Sequence, residues 1–283
     1  MQPKIGVIGG SGISEITGIE TPEWITVQTP WGDPSDAILT GTLHGTGMAF
    51  LPRHGRGHVQ SPASINYRAN IDALKRLGCT DLLAVSAVGS LRIDFKPGDF
   101  VLVDQYIDRT TQRENSFFGP GLVAHVSLAH PTCARLGAAV TKAAAGLTLH
   151  QGATYLAIEG PQFSTLAESR LYRSWGADVI GMTGMPEAKL AREAELCYAS
   201  LAMVTDYDCW HETPVDVAQV VATLTDNAAS ACQIVASLPQ HFSHPCPCGC
   251  DRALTHALMT APPQRDPALV AKLDAIAARV LKD

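Results

Sequence analysis

Short apolar runs, each ending in a glycine-, hydroxyl- or arginine-bearing loop, alternate with helically spaced segments along most of this chain. That alternation limits the fold more than any other feature of the sequence. Residues 4–8 read as a buried strand entering Gly9-Gly10-Ser11-Gly12, and residues 48–51 enter Arg53-His54-Gly55-Arg56-Gly57-His58. Residues 81–85 enter Ser86-Ala87-Val88-Gly89-Ser90, and 178–180 enter Gly181-Met182-Thr183-Gly184. Further strands are expected near 24–27, 37–43, 100–106, 154–158 and 198–204. Helical spacing covers 66–77, stopped by Gly78, then 131–147, 165–175, 186–195, 215–238 and 267–281. Strands that alternate with helices imply an α/β chain with a large central sheet. Without an internal repeat or a linker, residues 1–283 are expected to form one domain, with 239–266 irregular and cysteine-containing and 267–281 a C-terminal helix.

Composition removes several function classes. The net charge is −6, only 17% of residues are charged, and no Lys/Arg-rich run occurs, so a nucleic-acid partner is not expected. No stretch nears the roughly 20 apolar residues of a membrane span. The first residues lead into a strand without a signal-peptide pattern, and a cytoplasmic protein with reduced thiols is expected.

The strand-end loops carry the chemistry. Gly9-Gly10-Ser11-Gly12 is not a dinucleotide fingerprint, because Glu15 stands where the third glycine should fall, and no Gly-Lys-Ser/Thr follows. It still offers backbone N–H groups and a hydroxyl to one phosphate. Arg53 and His54 add a guanidinium fork and an imidazole, a pairing suited to an anion and hostile to a metal cation. Asp206 and Asp208 close the run 198–204; on an extended segment they would share a face, push their pKa values apart and form a donor–acceptor fork for a heterocycle edge. A solvated strand end explains the same two acids.

Leu51-Pro52-Arg53-His54-Gly55, Asn66-Tyr67-Arg68-Ala69-Asn70 and Ser86-Ala87-Val88-Gly89-Ser90-Leu91 together resemble the signature of the trimeric purine nucleoside phosphorylases. Ile158-Glu159-Gly160-Pro161-Gln162-Phe163 and Thr205-Asp206-Tyr207-Asp208-Cys209-Trp210 narrow the resemblance to members acting on 5′-methylthioadenosine. It covers roughly residues 4–238 and implies a mixed, partly barrel-like sheet flanked by helices. It also implies phosphorolysis to adenine and 5-methylthioribose 1-phosphate, with phosphate as co-substrate, no cofactor, no metal, and a homotrimer or dimer of trimers. By the same resemblance Ser11, Arg53, His54, Ser86, Ala87 and Thr183 would hold phosphate, while Met182 would lie under the ribose. Phe163 and Ser164 would flank the purine, Asp206 would protonate it, and Asp208 would accept from its amino group. His125, Val217 and Val220 would line the 5′ pocket, with His58 reaching in from a neighbouring subunit.

Gly181 departs from the pattern in which Asn precedes the Met-Thr pair and resembles relatives acting on methylthioinosine, so adenosine and methylthioinosine are alternative substrates. A hydrolytic nucleosidase is disfavoured, because the Arg53-His54 pair and the hydroxyl set would then have no anion to hold. Cys246-Pro247-Cys248-Gly249-Cys250 matches no CxxC pattern. Zinc there would need His244 or His256 as fourth ligand, and free thiols or a labile disulfide are favoured over it. Cys133 and Cys197 occupy positions that come near each other in relatives, though a disulfide is not expected.

Overall fold

The computed structural model describes residues 4–10, 17–211 and 217–281, with side chains described throughout except at 217–219. Nine strands, β1 (Lys4–Gly9), β2 (Glu20–Ile25), β3 (Ile38–Leu43), β4 (Thr46–Pro52), β5 (Asp81–Ser90), β6 (Phe100–Asp108), β7 (Leu149–Ala157), β8 (Val179–Gly181) and β9 (Cys197–Asp206), form one sheet. The helices are α1 (Tyr67–Arg76), α2 (Ala134–Ala143), α3 (Leu166–Ser174), α4 (Gly184–Glu193), α5 (Val217–His241), α6 (Pro267–Lys272) and α7 (Ala278–Leu281). The strand order is β2-β3-β4-β1-β5-β8-β7-β6-β9, and β9 also pairs with β5. That last pairing closes β5, β8, β7, β6 and β9 into a ring, from which β1 to β4 extend as an open arm.

Both faces of the sheet are covered, so its central strands need not alternate polar with apolar. Along β9, Tyr198, Ala202 and Val204 pack into one cluster while Ala199, Leu201 and Met203 pack into the other. In β1, Ile8 faces the first and Ile5 and Val7 the second. The two-residue period of a strand makes that division.

β5 runs on through Ser86, Ala87, Val88, Gly89 and Ser90 as strand, where the sequence suggested a loop. Pairing with β9 as far as Gly89 opposite Asp206, and with β8 at Gly89 and Ser90, supplies the backbone partners that local composition could not announce. The C-terminal segment departs in the other direction. Its expected helix breaks after Leu273, where Asp274 pairs with Arg76 of α1. Three described helix starts carry side-chain caps: Asn66 accepts from Ala69 N–H, Thr165 forms a reciprocal capping box with Glu168, and Asp266 accepts from Ala268 N–H.

Candidate active site

A cavity of about 520 Å³ opens where the C-terminal ends of β4, β8 and β9 meet the middle of β5. Its size suits a small molecule of nucleoside dimensions. Phosphate-type groups collect along one part of its wall: Arg53, His54, Ser86, Ala87 and Thr183. Arg53 is 1% exposed and held on every side. Its Nε donates to Glu187 Oε1 at 2.5 Å, and its two Nη groups reach Glu187 Oε2, Val85 O and Ile8 O. Described groups therefore take four of its five N–H bonds. Despite the desolvation that burial imposes, the Glu187 carboxylate keeps this guanidinium charged. Glu187 escaped the sequence reading because it lies 134 residues away, on α4.

The His54 ring lies 2.9 Å from Gln60 O through Nδ1, a geometry that assigns the proton to Nδ1 and leaves the Nε2 lone pair free to accept. Burial and the Arg53 charge push its pKa down to about 4, so at neutral pH the ring is uncharged. His58 stacks on it at 4.2 Å between centroids. The expectation for His58 therefore needs correcting: it lines the cavity of its own chain, carried there by a left-handed backbone (φ 55°) after Gly57.

Asp206 and Asp208 also line the cavity, but not by the expected route. The strand ends at Asp206, and Asp208 begins a 3-10 turn (Asp208–Trp210) with φ 51°. A left-handed residue, not a shared strand face, turns the second acid inward, and the Trp210 indole N–H anchors the turn on Ser90 O at 2.8 Å. The Thr205 hydroxyl donates to Asp206 Oδ1 at 2.7 Å and the Asp208 backbone N–H to Oδ2 at 2.9 Å. Both donors favour the carboxylate, yet burial outweighs them and raises the pKa of Asp206. Burial raises Asp208 too, with Asp206 adding to it. Both pKa values are thus lifted, by burial first. Among the described residues, Asp208 Oδ2 and the Ser164 hydroxyl are buried without a hydrogen-bond partner, a cost that native structures accept where a ligand supplies the missing bond.

Between these two regions, Ser86 to Gly89 on β5 spans about 10 Å at strand rise, room for a sugar between an anion and a base. Met182, Phe163, Ser164 and Val220 complete the wall, with the Phe163 ring 55% exposed and ready to stack. Met182 is seated against Gly160 (φ 67°), where an added Cβ would come within 2.5 Å of its sulfur. Gly89 is similarly constrained, since a Cβ there would crowd Asp206 Oδ2 at 3.2 Å. Gly181 has a steric reason as well: its Cβ would fall 2.0 Å from Tyr155 Oη, which accepts from Thr183 N–H. The tyrosine fills the space that a larger residue at 181 would need.

Ser11 and the Val217 side chain lie outside the described residues. His125 is not part of the cavity wall of its own chain; its N–H pairs with Ala257 O beside the Ala124–Leu258 bridge. Thr205, Gln60 and Tyr155 were missed. Thr205 adjoins Asp206 and could have been found by position, whereas the other two act through folds of the chain.

The phosphorylase superfamily model matches residues 4–239. S-methyl-5′-thioadenosine phosphorylase of Cereibacter sphaeroides is 66% identical, with all of both chains covered. That of Rhodospirillum rubrum is 58% identical over 99% of this chain and 98% of its own. Among solved structures, a methylthioadenosine phosphorylase from an Antarctic soil metagenomic library superposes with a TM-score of 0.92 at 44% identity, covering 97% of this chain and 99% of that one. An adenosine/methylthioadenosine phosphorylase variant of Schistosoma mansoni bound to adenine gives 0.79 at 38% identity, covering 84% and 91%.

Proposed function

The chain belongs to the phosphorylase superfamily, and on that footing we propose that it cleaves 5′-methylthioadenosine with phosphate, releasing adenine and 5-methylthioribose 1-phosphate. The observation that carries the reading is one cavity holding a buried arginine beside a neutral histidine in one region and two acids with burial-raised pKa values in another. Phosphate rests against Arg53, His54, the Ser86–Ala87 segment and Thr183, with Ser11 completing the cradle. A phosphate oxygen attacks C1′ as the bond to the purine N9 breaks and its electron pair passes into the ring. Asp206, its pKa raised by burial, delivers its proton to N7 of the departing base. Asp208, once ionised, accepts from the exocyclic amino group, while Phe163 stacks on the base and Met182 supports the ribose.

Recognition of the amino group separates 6-amino from 6-oxo purines. A carbonyl set against Asp208 lacks the donor, and an unmatched buried polar pair is worth several orders of magnitude in selectivity. Val217 and Val220 form the apolar lining for the methylthio group. The working unit is a homotrimer, or a dimer of such trimers, in the cytosol and without a cofactor. His125 does not reach the cavity of its own chain, so a role at the 5′ end requires a second copy of the chain. The substrate test compares methylthioadenosine, adenosine and methylthioinosine at saturating phosphate. The expected order of kcat/KM places methylthioadenosine first and methylthioinosine last; equal turnover of the 6-oxo compound would remove Asp208 from base selection.

A further inference from the structure

At the start of β9, about 30 Å of strand from Asp206, lies a second cluster that the reaction does not use. Cys133 caps α2, Cys197 opens β9, and Cys246 and Cys250 bracket a turn in the segment after α5. These three stretches, far apart in sequence, bring four sulfurs within 4.8 Å of one another, with Cys133 and Cys246 at 3.5 Å. All four are free thiols, and three are buried. A tetrahedral zinc with bonds of about 2.3 Å needs sulfurs about 3.8 Å apart, a spacing this cluster already approaches.

Its surroundings suit such an ion. The Cys248 N–H donates to Cys246 Sγ at 3.4 Å, fixing that ligand from outside, and Gly249 in a left-handed conformation (φ 71°) turns Cys250 back toward the group. Four thiolates around zinc carry a net charge of about −2. The Arg135 guanidinium, itself paired with Asp81, lies against the Cys246 and Cys197 sulfurs and supplies positive charge beside the group. The ligand set also corrects the arrangement considered from sequence: Cys248 is exposed and outside the group, and neither His244 nor His256 belongs to it.

We propose that Cys133, Cys197, Cys246 and Cys250 form a structural tetrathiolate zinc site that fastens the segment after α5 onto α2 and β9. Four protein ligands leave no open position, so the metal takes no part in the chemistry.

The test uses the full chain, expressed with zinc supplied and purified without chelators. Elemental analysis is expected to find about one zinc per chain, falling at least about tenfold in Cys250→Ser and unchanged in Cys248→Ser. Should Cys250→Ser fail to fold, the parent protein refolded with cobalt(II) must show the visible bands and thiolate charge transfer of a tetrathiolate centre. Zinc below about one-tenth per chain, or iron in its place, would overturn the proposal. So would a denatured, unreduced chain lighter by about two or four hydrogens, as disulfides among these cysteines require.

Discussion

At Asp206, two hydrogen-bond donors favour the charged form and burial opposes them, and the proton donation proposed for it depends on burial prevailing. Asp206→Asn keeps the size and most contacts but removes the proton, so kcat should fall about 10²- to 10⁴-fold with a smaller change in KM. Because the folded pKa is raised, the parent rate should decline as pH climbs through it, and this alkaline limb should vanish from the kcat profile of Asp206→Asn. Gly181 tests a different kind of fit. Gly181→Asn should destabilise the protein by about 1–3 kcal/mol through its clash with Tyr155, and a smaller residue at 155 should recover part of that in a double-mutant cycle of urea midpoints. Residues whose chemistry is unusual for their position, such as Arg53-His54 and the two acids, were legible in the sequence. Glu187, Tyr155 and Gln60 were not, because their importance lies in what the fold sets beside them.

The pairing of Arg53 at the end of β4 with Glu187 on α4 ties two elements together beneath the site. Glu187→Leu would leave the guanidinium buried without its counter-charge and should cost about 3–5 kcal/mol in denaturant unfolding. Glu193, on the same helix, receives Phe117 N–H and the Ser116 hydroxyl, joining α4 to the 116–117 loop. Burial pushes its pKa up to about 7. Between the ordinary carboxylate range and that value the folded state binds more proton than the unfolded one, so stability is greatest below the range and falls as pH rises toward 7. Unfolding midpoints measured from pH 4.5 to 7.5 should show that slope, and Glu193→Gln should flatten it. Helix and strand periods carried most elements in the sequence, with boundaries a few residues out. The strand at 86–90 was hidden because small residues chosen for close approach to a cavity look like turn residues.

Across the whole molecule, the ring of β5, β8, β7, β6 and β9 sets strand ends distant in sequence around one cavity. No periodicity in the chain announces that closure: it depends on β5 pairing with β8 and β9, which lie roughly a hundred residues further along. Family resemblance supplied the barrel where local pattern could supply only alternating strands and helices. The same closure sets Arg53, His54, Asp206 and Asp208 around one cavity, and on the roles proposed for them bond cleavage should be inseparable from phosphate. The most direct measurement is adenine release from methylthioadenosine as phosphate is raised from none. The account predicts saturable dependence on phosphate with 5-methylthioribose 1-phosphate formed mole for mole with adenine. Adenine released at full rate without phosphate, alongside free methylthioribose, would contradict it.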